Sequence, residues 1–364
     1  MKKVKKVITV IAFIFITILF NPSVKAEADS INEKLNLDEL YSAIDSETSE
    51  YLSMAEVDYS TAGNPDYEEI IETIEFIFGS SLPSVSENFI LLSVICILSS
   101  LLGTFDTENN ISDFAFTAAG AFIIYPVIIR VSHAVSTACE SLSVFIKTSI
   151  PIYAGIITFS GKTVTAASYT SLTLFAAQAA DFVVTVVALP LIPIMLSLCL
   201  ASAVSGRSFN KVNDNIQKAV KWTLVLTVTV FSAVTSLQTV ITSNTDAFTM
   251  KSARLAVSTA VPIVGSALGD ALSAVQGGLA VIKSGAGAFG ILAVIFIFVP
   301  VVIKCSLNMF SLIAINIICE LFNINKLNSL INGCISIYKL MLACSFTMVS
   351  VSVISAAILI TLVK

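Results

Sequence analysis

The sequence predicts an all-α fold: a polytopic α-helical membrane protein with a small, exported, acidic helical segment at its N-terminal end. Three observations predict it. Hydrophobic residues fill 56% of the 364 positions and charged residues only 12%, about half the charged share of a soluble domain, and mean hydropathy is +0.91. Apolar runs recur from Phe89 onward. The charge is also split: 16 of the 25 acids lie between Glu27 and Glu87 beside a single base, Lys34, whereas 88–364 holds 9 acids against 14 bases. Too few polar side chains remain to cover a water-facing surface, so most of the chain belongs in lipid. A cytosolic enzyme, a nucleic-acid binder and a disordered scaffold are excluded.

Met1 to Ala26 has the pattern of a secretory signal. Lys2, Lys3, Lys5 and Lys6 precede an apolar run from Val7 to Phe20, and Val24 and Ala26 put small residues at the −3 and −1 sites of a cleavage point. That run is shorter than the ~20 residues of a spanning helix, so cleavage after Ala26 is expected. Segment 27–87 is then exported. Leu35, Leu37, Leu40, Tyr41 and Ile44, then Ile70, Ile71, Ile74, Ile77 and Phe78, recur at helical spacing around a turn at Gly63-Asn64-Pro65. Two amphipathic helices are expected there, forming a cap or partner surface. About sixty residues are too few for a large core of their own.

Residues 88–364 read as a multi-span domain of about seven to ten helices. The clear apolar runs are Phe89–Phe105, Phe114–Arg130, Val164–Ala180, Phe182–Val204, Trp222–Ile241, Phe289–Ile303 and Leu340–Val363, with Cys305–Phe322 as a further one, either separate or continuing through Lys304. Ala134–Ser160 and Ser252–Ile282 are ambiguous: each is able to cross, lie in the interface or form a re-entrant hairpin. The loop Gly206–Lys221 carries Arg207, Lys211, Lys218 and Lys221 against Asp214, and basic loops face the cytoplasm. With 27–87 outside, an odd number of crossings separates the two. Five spans satisfy this if Ala134–Ser160 crosses.

Chemistry is sparse. Gly285, Gly287 and Gly290 match a dinucleotide-binding glycine pattern, but no strand precedes them and the next acid is Glu320. Gly155 to Thr163 imitates a phosphate loop with one residue too many between its glycines, and it sits between two apolar runs. The one histidine, His133, leaves no histidine pair for zinc, and no nucleophile elbow is present. No catalytic, cofactor-binding or metal-ligating residue is therefore assigned. Glu140, Asp181, Asp270 and Glu320 stand in or near apolar segments as candidate buried charges, best read as interfacial or interhelical partners. All seven cysteines lie in the apolar part, where cysteine behaves as a small hydrophobe.

The most specific pattern concerns packing. Gly265, Gly269, Ser273 and Gly277 fall at successive i+4 positions, which on a helix form a smooth row where another backbone approaches closely. A Gly/Ser-rich loop is the competing reading. Pro190, Pro193 and Pro300 fall inside apolar runs and are expected to kink them.

Several local motifs then resemble a known family. They are Ile150-Pro151-Ile152-Tyr153-Ala154-Gly155 followed by Ser160-Gly161, then Ser236-Leu237-Gln238, and the run from Ser252 to Gly265 with Gly269-Asp270. Together with the signal and acidic segment, they resemble the stage III sporulation protein AE family of endospore-forming bacteria over roughly 70–363. The resemblance implies a multi-pass protein of the mother-cell membrane around the forespore. Its partners would be other sporulation membrane proteins and the lipid bilayer, with no nucleic acid. It implies a non-enzymatic component of a secretion-like channel that supports late forespore gene expression. The alternative is a stand-alone secondary transporter or permease for a small solute.

Overall fold

A computed structural model describes residues 38–361, apart from 59–60, 63, 104–110, 206–208 and 261–264; side chains in 238–284 and at a few helix ends also stand outside the description. The elements in chain order are α1 (Asp38–Ser42), α2 (Ser46–Met54), α3 (Tyr67–Gly103), α4 (Ile111–Phe159), α5 (Thr163–Asp181), a π-helical segment (Phe182–Ala188), α6 (Leu189–Ser205), α7 (Asn210–Ala260), α8 (Gly265–Leu321) and α9 (Asn325–Thr361). No strand occurs among the described residues. The predicted signal lies outside them.

Six stretches are long and apolar enough to cross a membrane: Tyr67–Leu102, Asp113–Phe159, Thr163–Ser202, Lys211–Leu237, Gly285–Leu321 and Asn325–Ile358. This corrects the segmentation expected from hydropathy. Phe114–Arg130 and Ala134–Ser160 are one 49-residue helix, α4. Val164–Ala180 and Phe182–Val204 are continuous through the π segment. Of the two readings open at Lys304, the continuous one holds: the helix runs through it to Leu321. Charges interrupt hydropathy, but they do not interrupt a ladder of backbone hydrogen bonds. Only a break in that ladder ends a helix. Three long helices, rather than five, now separate the acidic segment from the basic loop. Three is also odd, so the expectation of opposite placement no longer depends on a separate crossing by Ala134–Ser160.

The real breaks have a common chemistry. At the end of α4, Gly161 takes φ 80°; its N–H donates to Thr158 O at 2.9 Å and the Lys162 N–H to Ile157 O at 3.3 Å. That pair of bonds is a left-handed helix cap. The same pair recurs at Asn323 (φ 56°), which ends α8, and at Glu56 (φ 50°), just past α2. The π segment precedes Pro190 and Pro193. Neither proline has an N–H, so the carbonyls of Val186 and Leu189 lose their usual partners and the turn widens.

Interhelical contacts fix direction and register. Cys96 Sγ lies 3.2 Å from Cys319 Sγ, joining α3 to α8. Asn213 Nδ2 donates to Met195 O at 3.2 Å and to Cys199 Sγ at 2.9 Å, joining α7 to α6. Ser336 Oγ donates to Asp214 Oδ1 at 2.9 Å, joining α9 to α7. The tight turns at 160–162 and 322–324 reverse the chain, so α4 and α5, and α8 and α9, run antiparallel. At the centre of the long helices stands α8: 78% of its apolar window is buried, against 22% in α3 and α7. A helix apolar all round belongs inside, and Phe289, Phe296 and Phe298 are among the most deeply buried side chains.

The acidic segment is not a separate layer. Leu40, Ile44, Leu52 and Val57 are buried in the same core, and the Tyr41 ring packs on Phe289 of α8 with centroids 4.9 Å apart. Its hydroxyl donates to Val57 O at 2.8 Å. Asp45 caps α2 by accepting from the Thr48 N–H at 2.9 Å. α3 then runs unbroken from Tyr67 to Gly103, across the expected domain boundary at 87/88.

Candidate functional site

The buried half of α8 meets α4, α5 and α9 at a cluster of hydroxyls. Tyr153, from the Ile150–Gly155 motif, donates to Ala286 O at 3.2 Å. Tyr169 on α5 donates to Ser355 O at 3.2 Å. Ser149, Ser352 and Ser355 donate to the carbonyls one turn back on their own helices, Ile146 O, Met348 O and Val351 O. These five side chains surround Gly290 and line a cavity of about 10 Å³, the lower limit for one water molecule.

Gly290 has a steric role. A Cβ on it would overlap the Tyr153 hydroxyl, so only glycine lets α4 and α8 approach this closely. Sequence reasoning singled out both groups for other reasons: Tyr153 as part of a family motif and Gly290 as the end of a rejected glycine pattern. Their meeting was not legible, because 133 residues separate the bonded pair Tyr153–Ala286.

The cluster holds hydroxyls and no carboxylate, imidazole or amine. Each hydroxyl proton is committed to a backbone carbonyl, which satisfies a polar group in an apolar interior. Only the Tyr153 and Tyr169 bonds join one helix to another; the cluster offers no general base and no nucleophile–base pair. No group of three metal-ligating side chains occurs among the described residues.

The predicted residues distribute as follows. Gly265, Gly269, Ser273 and Gly277 fall in the helical backbone of α8, not in a loop; their side-chain surroundings lie outside the described residues, as do those of Asp270. Arg207 also lies outside them, while Lys211, Lys218 and Lys221 are exposed on the first turns of α7. Among the candidate buried charges, Asp181 is half-buried and accepts from Ser143 Oγ at 2.8 Å, linking α5 to α4. Glu140 and Glu320 are exposed instead. Each takes its hydrogen bond from its own helix, from Ser136 Oγ at 3.4 Å and Asn316 Nδ2 at 2.9 Å. The expectation of burial fails for these two because each lies on the outer side of its helix.

The family model described as stage III sporulation protein AE matches residues 61–362. A curated relative named stage III sporulation protein AE, from Bacillus subtilis (strain 168), is 23% identical over 212 residues, or 57% of this chain and 53% of the relative. The chain thus spans about half the length of the curated relative it matches. No solved structure matches. The family match takes in all six long apolar helices, together with the Tyr153–Gly290 contact, and on that ground the chain belongs to the stage III sporulation protein AE family.

Proposed function

We propose that this protein is a non-enzymatic, multi-pass component of a secretion-like channel complex that links mother cell and forespore and supports late forespore gene expression. Family membership carries the reading. The physical chemistry supports it: five long apolar helices pack with a buried sixth, α8, and the Tyr153 and Tyr169 hydroxyls in the core bond to backbone carbonyls of other helices. In this reading the protein sits in the mother-cell membrane around the forespore. The acidic segment faces away from the mother-cell cytoplasm, and Lys211, Lys218 and Lys221 face into it, as basic loops do. Its partners are other sporulation membrane proteins.

The test is isolation of the tagged protein from membranes of sporulating cells. Co-isolation of other sporulation membrane proteins in fixed proportion is the expected result. A protein recovered alone, and able after reconstitution to carry a small solute into vesicles, would establish the stand-alone transporter in its place.

A further inference from the structure

The outer faces of α3 and α4 carry opposite charges at matching heights. Arg130, His133, Glu140 and Lys147 are exposed on α4, at spacings that keep them on one side. Glu68, Glu72, Glu75 and Glu87 are exposed on α3. The two helices are antiparallel neighbours, and Leu92 of α3 lies against Gly120 of α4. Counting from that contact at ~1.5 Å per residue puts Glu87, Glu75 and Glu68 within about 8 Å, along the axis, of Arg130, His133 and Lys147 respectively. Glu72 and Glu140 share one height as a like-charge pair.

Toward the other end the same two faces become apolar, again at matching heights. On α3, Ile90, Val94, Ile97 and Leu101 are exposed. On α4, an open apolar groove of about 650 Å³ lies between Phe114, Phe122 and Tyr125 and, across from them, Leu200 of α6. Among the described residues, none of α3 lines it, so the Ile90–Leu101 ridge does not fill the groove of its own chain.

A ridge and an acidic stripe on one helix, and a groove and a stripe bearing the cations Arg130 and Lys147 on its neighbour, make a self-complementary surface. A two-fold axis parallel to the helices places α3 of one copy against α4 of another and keeps both copies in one membrane orientation. We propose that the protein pairs with a second copy of itself through this α3–α4 face, as a four-helix contact. Acid–base pairs form its outer half, and the α3 ridge seated in the α4 groove forms its apolar half. The pairing requires no assumption about transport, so it stands or falls separately from the role proposed above.

Two differently tagged full-length chains, co-expressed, provide the test, one bearing Glu68→Cys and the other Lys147→Cys. Mild oxidation of membranes should give a covalent dimer carrying both tags, and Ile90→Cys with Phe122→Cys should do the same. Lys218→Cys with Trp222→Cys on α7 should not. Lys147→Glu in both chains should lower the Ile90–Phe122 cross-link severalfold; adding Glu68→Lys should restore it, and Glu140→Gln alone should raise it. Absence of both α3–α4 cross-links from inserted protein, or an equal yield from the α7 pair, would overturn the proposal. The Ile90–Phe122 pair decides the matter should the charge variants fail to insert.

Discussion

Three single positions carry strain or close contact that a substitution reports directly. Gly290→Ala puts a methyl group on the Tyr153 hydroxyl, an overpacking worth about 1–3 kcal/mol. It should lower the thermal midpoint of the protein in detergent. Tyr153→Phe removes the overlapping oxygen and leaves the Ala286 carbonyl with its helical partner, so alone it should cost about 1 kcal/mol. In combination it should recover most of the loss from Gly290→Ala. Simple addition of the two losses would show that the hydroxyl is not what glycine accommodates. At Glu56, φ 50° is a conformation that disfavours a side chain. Glu56→Gly should therefore stabilise by about 1 kcal/mol, read as a higher midpoint. Gly79 is the contrasting glycine: nothing lies within 4 Å of a Cβ there, and Gly79→Ala in the interior of α3 should be neutral or gain ~0.5–1 kcal/mol.

At the scale of elements, α8 organises the bundle, and its two halves were legible to different degrees. The row Gly265, Gly269, Ser273, Gly277 announced a helix by its i+4 spacing, and the helical backbone is there. What that row touches is a matter for experiment. Gly269→Leu places bulk where a second backbone would lie, while Leu268→Phe points about 100° away. Recovery of the protein in its complex should fall severalfold with the first change and little with the second, both proteins being inserted. Equal tolerance would mean that the row faces lipid. Hydropathy leaves open whether the second half of α8 breaks at Lys304, whereas it divides α4 between Arg130 and Ala134. Helix length depends on caps and prolines, and the caps at Glu56, Gly161 and Asn323 carry only one glycine among them. Asn and Glu give a weak signal for a left-handed turn, so two of the three corners were hard to read.

For the whole molecule, the testable statement is orientation. With three long helices between them, the proposed topology puts the acidic segment and the start of α7 on opposite sides of the membrane. Glu50 and Lys211 are both exposed. In intact cells, Glu50→Cys should react with an impermeant thiol reagent and Lys211→Cys should not, until the membrane is opened. The seven native cysteines are all buried and should contribute little background. Reaction at both positions in intact cells would reverse the placement of the basic loop.

The sequence by itself determined the class of the protein. A charged share of 12% and recurrent apolar runs admit only a membrane bundle, and the Ile150–Gly155 and Ser252–Gly265 motifs placed it in its family. Those are local properties, readable within one or two turns of chain. Only the tertiary structure decided how many helices the runs make, that the acidic segment packs by Tyr41 onto Phe289, and that Tyr153 meets the backbone beside Gly290. Each of these joins residues far apart in sequence, or turns on whether a backbone ladder continues past a charge. Hydropathy counts side chains one window at a time and carries no record of either. Helices end where N–H and C=O groups find new partners, and they pack where shapes fit across the bundle. Both are decided in three dimensions.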